Sequence, residues 1–198
     1  SLLVTSNGTL VAGGQFSRLD VSAAKIAQWN GAAWAPLGLG IGTGSSFSVK
    51  ALAETASGDI IAGGFFNTAG GQSSLAIARW NGLAWSPIGN GIVGTVNALA
   101  IAGNGDIIAG GSFTSASGTA AFNIARWNGA NWLALAGGLP NGNVQAVAIM
   151  QDGSIIAGGT FDTGGASPLR GIAKWNGSAW VSIGAITNGS SSGRVQSL

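Results

Sequence analysis

Three observations predict an all-β protein from the 198 residues of the chain. The tripeptide Ala-Gly-Gly recurs at intervals of 50, 47 and 48 residues, and its copies start at Ala12, Ala62, Ala109 and Ala157. Nine Asn-Gly pairs lie near short apolar runs, where this dipeptide is the strongest local signal for a β-hairpin. No segment of ten or more residues has the 3.6-residue apolar period of a helix. A period of about 50 residues marks one supersecondary unit that is stacked several times, so the predicted fold class is a β-propeller of four-stranded antiparallel blades.

The third repeat shows the four predicted strands of one blade in order. Its apolar runs cover residues 96–102, 107–113, 124–127 and 132–135. A tight turn joins the first two runs, and ten mostly small and polar residues after the second run predict a loop. Asn128 and Gly129 join the last two runs, and we expect a type I′ turn there, in which both central residues take positive φ. Each repeat is therefore predicted to be a four-stranded antiparallel meander.

Recurring apolar positions in the second run predict the core of each blade. Two consecutive Ile residues precede Ala-Gly-Gly in three repeats, and consecutive apolar residues indicate a strand that is covered on both faces. The Gly-Gly pair then allows a backbone or a ring to approach where any Cβ would clash. A Phe follows each copy. We therefore expect a buried set that comprises Ile61, Ile108, Ile156, Phe16, Phe66, Phe113 and Phe161.

The chain is predicted to be a single repeat array whose repeats cover about residues 1–50, 51–97, 98–146 and 147–198. It begins and ends at the same point inside a strand, since the equivalent positions are Leu2, Leu52, Leu99, Val147 and Leu198. Two arrangements remain open. Either four blades close into a ring, with Val195–Leu198 pairing beside Leu3–Ser6, or the chain is a segment of a longer array. An open array would expose apolar blade faces, which drive association.

The composition excludes several classes of function. Only 7% of the residues are charged and the net charge is +2, against about 25% charged residues in a typical soluble domain, so nucleic acid is not an expected partner. The chain has no Cys and no His, which excludes disulfides, thiol chemistry, catalytic triads and the usual zinc sites. No apolar run reaches the roughly 18 residues that cross a bilayer, so we expect no membrane insertion. No cofactor and no metal site is predicted.

The acidic residues are predicted to be structural rather than catalytic. They are Asp20, Glu54, Asp59, Asp106, Asp152 and Asp162. Three of them lie at or beside the Gly of the first hairpin, where Asp bonds to nearby backbone N–H groups. Glu54 and Asp162 fall outside this pattern, but glycoside hydrolysis needs two carboxylates about 5–10 Å apart, and one acid per blade supplies no obvious pair. No partner acid is evident for Lys25, Lys50 and Lys174. We therefore predict no catalytic residue and no enzymatic activity.

Two recurring sets supply the candidate ligand-binding residues. The second Trp of each repeat gives the set Trp34, Trp85, Trp132 and Trp180. The residue before the first Trp is long and polar, and its candidates are Arg79, Arg126 and Lys174. The indoles either fill the interfaces between blades or expose rings that stack on sugars. The cations either lie over an indole with a solvated head group or form a ligand-facing ring around a propeller axis.

The repeat resembles two known families. A Gly-Gly pair at 13, 63, 110 and 158 with a later Trp resembles kelch and galactose-oxidase-type propeller repeats, although the chain lacks the Tyr that is usual in kelch repeats. The order Gly-Gly-x-Phe, Ala-Arg-Trp-x-Gly-x-x-Trp and Gly-x-x-x-x-Val-x-Ala-Leu is more similar to the repeats of fungal cortical polarity-marker surface proteins and related bacterial secreted proteins.

This resemblance and the low charge favour a non-enzymatic extracellular or cell-surface propeller, acting as a structural scaffold, an interaction module or a self-assembly module. A surface rich in Gly, Ala, Ser and Asn suits like copies, neighbouring repeats of a longer chain or glycans as partners. Two alternatives stay open. One is a lectin-like, carbohydrate-binding propeller, and the other, less favoured, is a glycan-active propeller enzyme.

Overall fold

The computed structural model describes residues 1–19, 21–42, 44–164, 167–184, 187–188, 191–192 and 195–197. Within these ranges the regular secondary structure is β-strand throughout, with no helix, as the sequence predicts. It follows that the described residues include no helix that could span a membrane. The chain divides into two compact units, Ser1–Val96 and Asn97–Leu198.

The first unit contains two four-stranded antiparallel sheets. Its strands are β1 (Leu2–Val4), β2 (Leu10–Gly13), β3 (Arg18–Leu19), β4 (Val21–Ser22), β5 (Ile26–Trp29), β6 (Trp34–Pro36), β7 (Ser48–Glu54), β8 (Ile60–Phe65), β9 (Thr68–Ala69), β10 (Gln72–Ser73), β11 (Ile77–Trp80) and β12 (Trp85–Pro87). The first sheet has the order β1–β2–β5–β6, and the second sheet has the order β7–β8–β11–β12. Each strand therefore pairs with the next long strand along the chain, which is the predicted meander.

The second unit repeats this topology, and the division between the units falls inside its first strand. The strands are β13 (Ile92–Ile101), β14 (Ile107–Ala116), β15 (Thr119–Ala120), β16 (Ile124–Trp127), β17 (Trp132–Ala134), β18 (Val144–Ile149), β19 (Ile155–Gly159), β20 (Thr163–Gly164), β21 (Ser167–Pro168), β22 (Ile172–Trp175), β23 (Trp180–Ser182), β24 (Thr187–Asn188) and β25 (Ser191–Ser192). The third sheet has the order β13–β14–β16–β17, and the fourth sheet has the order β18–β19–β22–β23. The predicted repeat boundaries themselves stay a prediction.

The segment after each second strand differs from the predicted loop. It forms a small antiparallel ribbon in each repeat, as β3–β4, β9–β10, β14–β15 and β20–β21. In the third sheet β14 runs on to Ala116 and pairs with β15 from Ser115 onward. Small and polar residues do not prevent such pairing, because the backbone groups of the segment still need hydrogen-bond partners.

The turn between the third and fourth strands also differs from the prediction. Four residues, not two, separate the paired Trp29 and Trp34, and only Gly31 has positive φ, at 99°. The side-chain Oδ1 of Asn30 accepts hydrogen bonds from the backbone N–H groups of Ala32 and Ala33, at 3.0 and 2.9 Å. The predicted turn at Asn128 and Gly129 is built in the same way, since only Gly129 has positive φ, at 93°, and Asn128 Oδ1 accepts two backbone hydrogen bonds. The type I′ prediction is therefore wrong, because Asn acts here through its side chain and not through a left-handed backbone.

The Gly-Gly pair of the second strand permits two close approaches in the first unit. A Cβ on Gly13 would lie 2.5 Å from Cγ1 of Val49, which belongs to the neighbouring sheet. A Cβ on Gly64 would lie 2.0 Å from the carbonyl oxygen of Ser48, in its own sheet. The pairing of β7 with β8 has a β-bulge between Val49 and Ala51. The first Gly thus serves the packing between sheets, and the second Gly serves the packing within one sheet.

The second unit has the same two approaches. A Cβ on Gly110 would lie 2.5 Å from Cγ1 of Val144, and a Cβ on Gly159 would lie 2.0 Å from the carbonyl oxygen of Asn143. A β-bulge again follows Val144. The prediction that Gly-Gly allows close backbone approach is confirmed in both units.

The predicted core residues are buried with one exception. The three Ile residues are at most 8% exposed, and Phe66, Phe113 and Phe161 are at most 4% exposed. Phe16 is half-buried. Phe66 belongs to the core of the first unit, and Phe161 belongs to the core of the second.

The backbone of Val195 repeats a contact that is made earlier in the chain. Its N–H donates to the carbonyl oxygen of Gly159 at 3.3 Å, as Val49 donates to Gly14 at 3.1 Å. Leu198 lies outside the described residues. The pairing of Val195–Leu198 beside Leu3–Ser6 therefore stays a prediction.

Candidate functional site

The recurring cations form ion pairs with the acids of the first hairpin. The pairs are Arg79 with Asp59, Arg126 with Asp106 and Lys174 with Asp152. Each cation lies on the third strand of its sheet, next to the second strand, which begins just after the turn that holds the acid. These ion pairs are not predicted from the sequence, in which no partner acid is evident for Lys174. The available signal was the regular separation of 20, 20 and 22 residues between the partners.

The turn of the fourth sheet reverses the order of its polar residues. The second sheet has Ser57-Gly58-Asp59, whereas the fourth has Asp152-Gly153-Ser154. The carboxylate before the Gly is 59% exposed at Asp152, whereas after the Gly it is 10% exposed at Asp59. The third sheet keeps Asp106 after the Gly, and its side chain is 9% exposed. The reversal therefore moves one acid from a buried position to an accessible one.

Asp152 is held in its ionised form by its neighbours. The Ser154 hydroxyl, the Ser154 backbone N–H and the Lys174 ammonium all lower the pKa of the Asp152 carboxyl well below its usual range, and the hydroxyl has the largest effect. The Ser154 N–H donates to Oδ1 at 2.9 Å, and Lys174 Nζ donates to Oδ2 at 2.9 Å. Three donors stabilise the charge, as expected for a carboxylate that accepts several hydrogen bonds.

These side chains border a cleft of about 440 Å³ in the second unit, which we call the Asp152 cleft. Its polar lining includes Asn104, Arg126, Asp152, Lys174 and Asn176, and its apolar lining includes Ile108, Ile155 and Trp175. Its volume falls within the range of about 300–1,000 Å³ that is usual for small-molecule sites. Two of the predicted ligand candidates, Arg126 and Lys174, therefore meet here, while Arg79 pairs with Asp59 in the other unit.

The second Trp of each hairpin lies mainly inside the protein. Trp85, Trp132 and Trp180 are buried, and only Trp34 is half-buried. The indole Nε1 of Trp85 donates to the carbonyl oxygen of Leu37 at 2.8 Å. Buried rings cannot stack on a sugar, so the prediction that these three Trp residues are candidate ligand-binding residues is wrong. The bond from Trp85 instead joins the second sheet to the first.

The indole of Trp180 shows the same arrangement in the second unit. Its Nε1 donates to the carbonyl oxygen of Leu135 at 3.0 Å. The ring centroid of Trp180 lies 5.5 Å from that of Trp175 on the adjacent strand, with the ring planes inclined at 55°. Tilted aromatic pairs at this distance contribute about 0.5–1.5 kcal/mol beyond the area that they bury. The cations that precede the first Trp in the second, third and fourth sheets form ion pairs with Asp side chains. The partner of each charged group is therefore a carboxylate and not the indole.

The off-pattern acids lie apart from the Asp152 cleft. Glu54 receives two hydrogen bonds from Ser6, from the backbone N–H at 2.7 Å and from the hydroxyl at 2.9 Å, which joins the first sheet to the second within the first unit. Asp162 is exposed, just beyond β19. Asp20 lies outside the described residues. Glu54 is therefore a contact between the two sheets of the first unit, and the absence of a catalytic residue stays a prediction.

The remaining lysines lie at special backbone positions. Lys25 has a φ of 63° and is buried, and Lys50 is exposed in the bulge of β7. Among the described residues, no group of three His, Cys, Asp or Glu side chains could hold a metal ion. The charged groups that line the Asp152 cleft belong to two ion pairs, Arg126 with Asp106 and Lys174 with Asp152.

No curated protein matches the chain. Among solved structures it is similar to YCF48 bound to D1 peptide, with 16% identity and a TM-score of 0.45 over 90% of this chain. It is also similar to an ulvan lyase of polysaccharide lyase family PL25, with 13% identity and a TM-score of 0.44 over 91% of this chain. The chain spans 48% and 56% of the lengths of these two proteins.

A third similar structure is the extracellular domain of BT4673 from B. thetaiotaomicron, described as a one-component system, with 10% identity and a TM-score of 0.35. The similarity covers 94% of this chain and 29% of the length of that protein. The family model described as the Rax2 C-terminal beta propeller domain matches residues 39–198, which is most of the chain. This match confirms the predicted β-propeller fold, whereas the resemblance to kelch repeats stays a prediction. The chain belongs to the family of the Rax2 C-terminal β-propeller domain.

Proposed function

We propose that this propeller is a non-enzymatic interaction module, located at the cell surface or outside the cell, that assembles with like copies or with neighbouring repeats. One observation carries the proposal. On β1 the side chains of Leu2 and Val4 are 71% and 69% exposed. Two large apolar side chains at such exposure on one strand form a surface that favours association. We call this surface of Leu2 and Val4 the Leu2 face.

The packing inside each unit indicates what would cover this surface. Leu52 occupies the position of Leu2 in the second sheet, because each pairs with the Ala of Ala-Gly-Gly. Leu52 is partly buried, and its Cδ1 would lie 3.4 Å from a Cβ on Gly13 of the first sheet. A first strand of this type thus packs on the Gly-Gly strand of another sheet, and we infer that Leu2 accepts such a strand from a partner.

The second unit supports the same inference. Val147, the equivalent of Leu2 in the fourth sheet, has its Cγ1 3.0 Å from the position of a Cβ on Gly110 in the third sheet. The partner best suited to the Leu2 face is therefore another blade with a Gly-Gly strand. A like copy of this chain has such strands.

The bonding of the acidic residues supports a non-enzymatic role. Asp59, Asp106 and Asp152 each pair with a cation of their own sheet, and Glu54 binds Ser6. An acid–base pair for glycan cleavage would need two carboxylates about 5–10 Å apart, on either side of one bond. The described acids are distributed among separate turns and strands.

Sedimentation velocity over a range of concentrations tests the assembly. We expect species larger than the 19.3 kDa monomer to form as the concentration rises. The substitution Leu2→Glu should abolish these species, because association would bury the new charge and its desolvation is costly. Leu83→Glu is the matched control, since Leu83 is 87% exposed and lies in the turn between β11 and β12. A wild-type chain that stays at 19.3 kDa at every concentration would contradict assembly with like copies.

A further inference from the structure

We propose that the Asp152 cleft binds a neutral saccharide. This inference goes beyond the scaffold role and does not depend on it, because the cleft lies within the second unit and the Leu2 face lies in the first. Its ligand would be a polyhydroxyl compound without net charge. Four features of the cleft support this: the reversed turn, the remaining hydrogen-bond capacity, the balance of charge and the apolar part of the lining.

The reversed turn is the feature that separates the fourth sheet from its neighbours. The other two charged turns place the carboxylate after the Gly, where it is nearly buried. The fourth turn places Asp152 before the Gly and sets Ser154 in the buried position. The ion pair with the third strand is kept in all three sheets, so the pair itself does not require the reversal. The reversal adds an exposed carboxylate at the border of the cleft.

Asp152 and Lys174 keep hydrogen-bond capacity in this arrangement. A carboxylate has about four acceptor sites, and the described contacts use two on Oδ1, both from Ser154, and one on Oδ2, from Lys174. An ammonium has three donors, and the described contact with Asp152 uses one of them. An acceptor and donors therefore remain beside each other, which matches adjacent hydroxyl groups that both donate and accept.

The balance of charge in the cleft favours an uncharged ligand. Lys174 is neutralised by Asp152, and Arg126 is neutralised by Asp106. An anionic ligand would meet the exposed carboxylate of Asp152, and a cationic ligand would meet Lys174 and Arg126. A neutral ligand avoids both repulsions and leaves the two ion pairs intact.

The cleft also has an apolar lining. Ile108, Ile155 and Trp175 contribute to it, and their side chains are 1%, 4% and 9% exposed, so they offer carbon edges and not a stacking face. Small-molecule sites combine an apolar lining with a few directed polar groups. A ligand without net charge that presents adjacent hydroxyl groups and ring carbon atoms is a saccharide.

Heteronuclear NMR titration of the whole chain tests this proposal. The probes are maltotriose, cellotriose, mannotriose and chitotriose, with trigalacturonate as the acidic comparison. We expect at least one neutral trisaccharide to bind with saturation at millimolar concentration or below. It should shift the backbone amides of Gly153 and Gly177, which border the cleft.

The decisive variant exchanges the two polar residues of the fourth turn, Asp152→Ser with Ser154→Asp. It restores the order of the second sheet, keeps the composition and net charge, and moves the carboxylate to the buried position. Affinity should fall at least about tenfold. The matched control is the reciprocal exchange in the second sheet, Ser57→Asp with Asp59→Ser, which should leave the affinity unchanged. If the exchanged chain does not fold, Asp152→Asn is measured instead, with the same expected loss.

Three results would overturn the proposal. The first is that none of the neutral trisaccharides shifts the cleft amides at millimolar concentration. The second is that trigalacturonate binds most tightly and loses affinity as salt is added, which would mark an anion site. The third is undiminished binding in the folded fourth-turn exchange. Each result leaves the sedimentation behaviour of the chain unaffected, so the assembly proposal is judged separately.

Discussion

One position within a turn sets the accessibility of a carboxylate in this protein. Asp59 and Asp152 both bind a serine hydroxyl and a cation of their own sheet. They differ in lying after or before the turn Gly, and the exposed fraction of the side chain changes from 10% to 59%. Residue type and pairing are therefore shared, and access to a ligand is the property that differs.

Truncation of a core aromatic tests the packing of single residues. Phe113→Ala should lower the free energy of unfolding by about 3–5 kcal/mol, because it removes a large buried ring and leaves a cavity. Phe113 is 4% exposed, whereas Phe122 is 42% exposed. Urea denaturation of Phe122→Ala, the control, should show a loss of less than about 1 kcal/mol. Equal losses would contradict the assigned burial.

The ionisation of Asp152 predicts a pH dependence with a defined sign. The native pKa of Asp152 is lowered, first by the Ser154 hydroxyl, whereas an unfolded Asp has a pKa of about 3.9. The native state therefore binds fewer protons at acid pH, and the stabilisation is fully present above about pH 4 and is lost as the pH falls toward the lower native pKa. Asp152→Asn should thus lower Tm near neutral pH, and the difference should shrink in acid. A difference that is constant with pH would show that charge is not its cause.

At the scale of one sheet, the Gly-Gly pair of the second strand takes part in close contacts. In the first and third sheets the first Gly lies against a Val of the neighbouring sheet, and in the second and fourth sheets the second Gly lies against a carbonyl oxygen of the first-strand segment. Asn side chains complete the hairpin turn of the last two strands in all four sheets. The repeated residues of the chain therefore mark strand contacts and turn closures.

Gly64→Ala tests the close approach within a sheet. The new Cβ would lie 2.0 Å from the Ser48 carbonyl oxygen, so the backbone must shift, and we expect a loss of about 1–3 kcal/mol or more. Gly103→Ala is the control, because a Cβ there meets nothing within 4 Å. Its stability should stay within about 0.5 kcal/mol of wild type. Thermal and urea unfolding measure both, and an unaffected Gly64→Ala would show that the sheets tolerate a wider spacing.

Asn128→Ala tests the turn between β16 and β17. It removes the acceptor of two hydrogen bonds, from the backbone N–H groups of Ala130 at 3.0 Å and Asn131 at 2.8 Å. Each such bond contributes about 0.5–1.5 kcal/mol net, and solvent exposure lowers the sum, so we expect a loss of about 1 kcal/mol. Asn128→Asp keeps an acceptor oxygen and should lose less. Equal losses in urea denaturation would show that the side-chain oxygen is not what matters.

At the scale of the whole molecule, the two units use the same contact to stack their sheets. Val49 lies against Gly13 in the first unit, and Val144 lies against Gly110 in the second. The contact is apolar in both cases. The low charge of the chain, 7% of residues, leaves few charges with which an assembly could be built.

The assembly should therefore resist salt. Salt screens interactions between exposed charges, but it does not weaken the burial of apolar side chains such as Leu2. Sedimentation velocity at low and high sodium chloride concentrations should give the same oligomer or a larger one at high salt. Dissociation by salt would show that ion pairs, and not the Leu2 face, hold the copies together.

The sequence by itself determined the all-β repeat, the order of the strands, and the burial of the three predicted Ile residues and of all the predicted Phe positions except Phe16. These features depend on local signals, namely apolar runs, turn residues and a fixed period, and every copy of the repeat states them again. The prediction of type I′ turns was wrong because it also used a local signal. The dipeptide Asn-Gly indicates a turn but does not indicate the length of the loop in which it lies.

Only the tertiary structure decided which of the repeated side chains are accessible. Trp85 donates to Leu37, which is 48 residues away, and Asp152 meets Lys174 at a distance of 22 residues. Such contacts depend on how separate strands and sheets lie against each other. Trp85 and Leu37 belong to different sheets, so no short segment of the sequence contains both partners. The buried indoles and the Asp152 cleft therefore became visible only when the sheets were packed, because exposure is a property of neighbours and not of residue type.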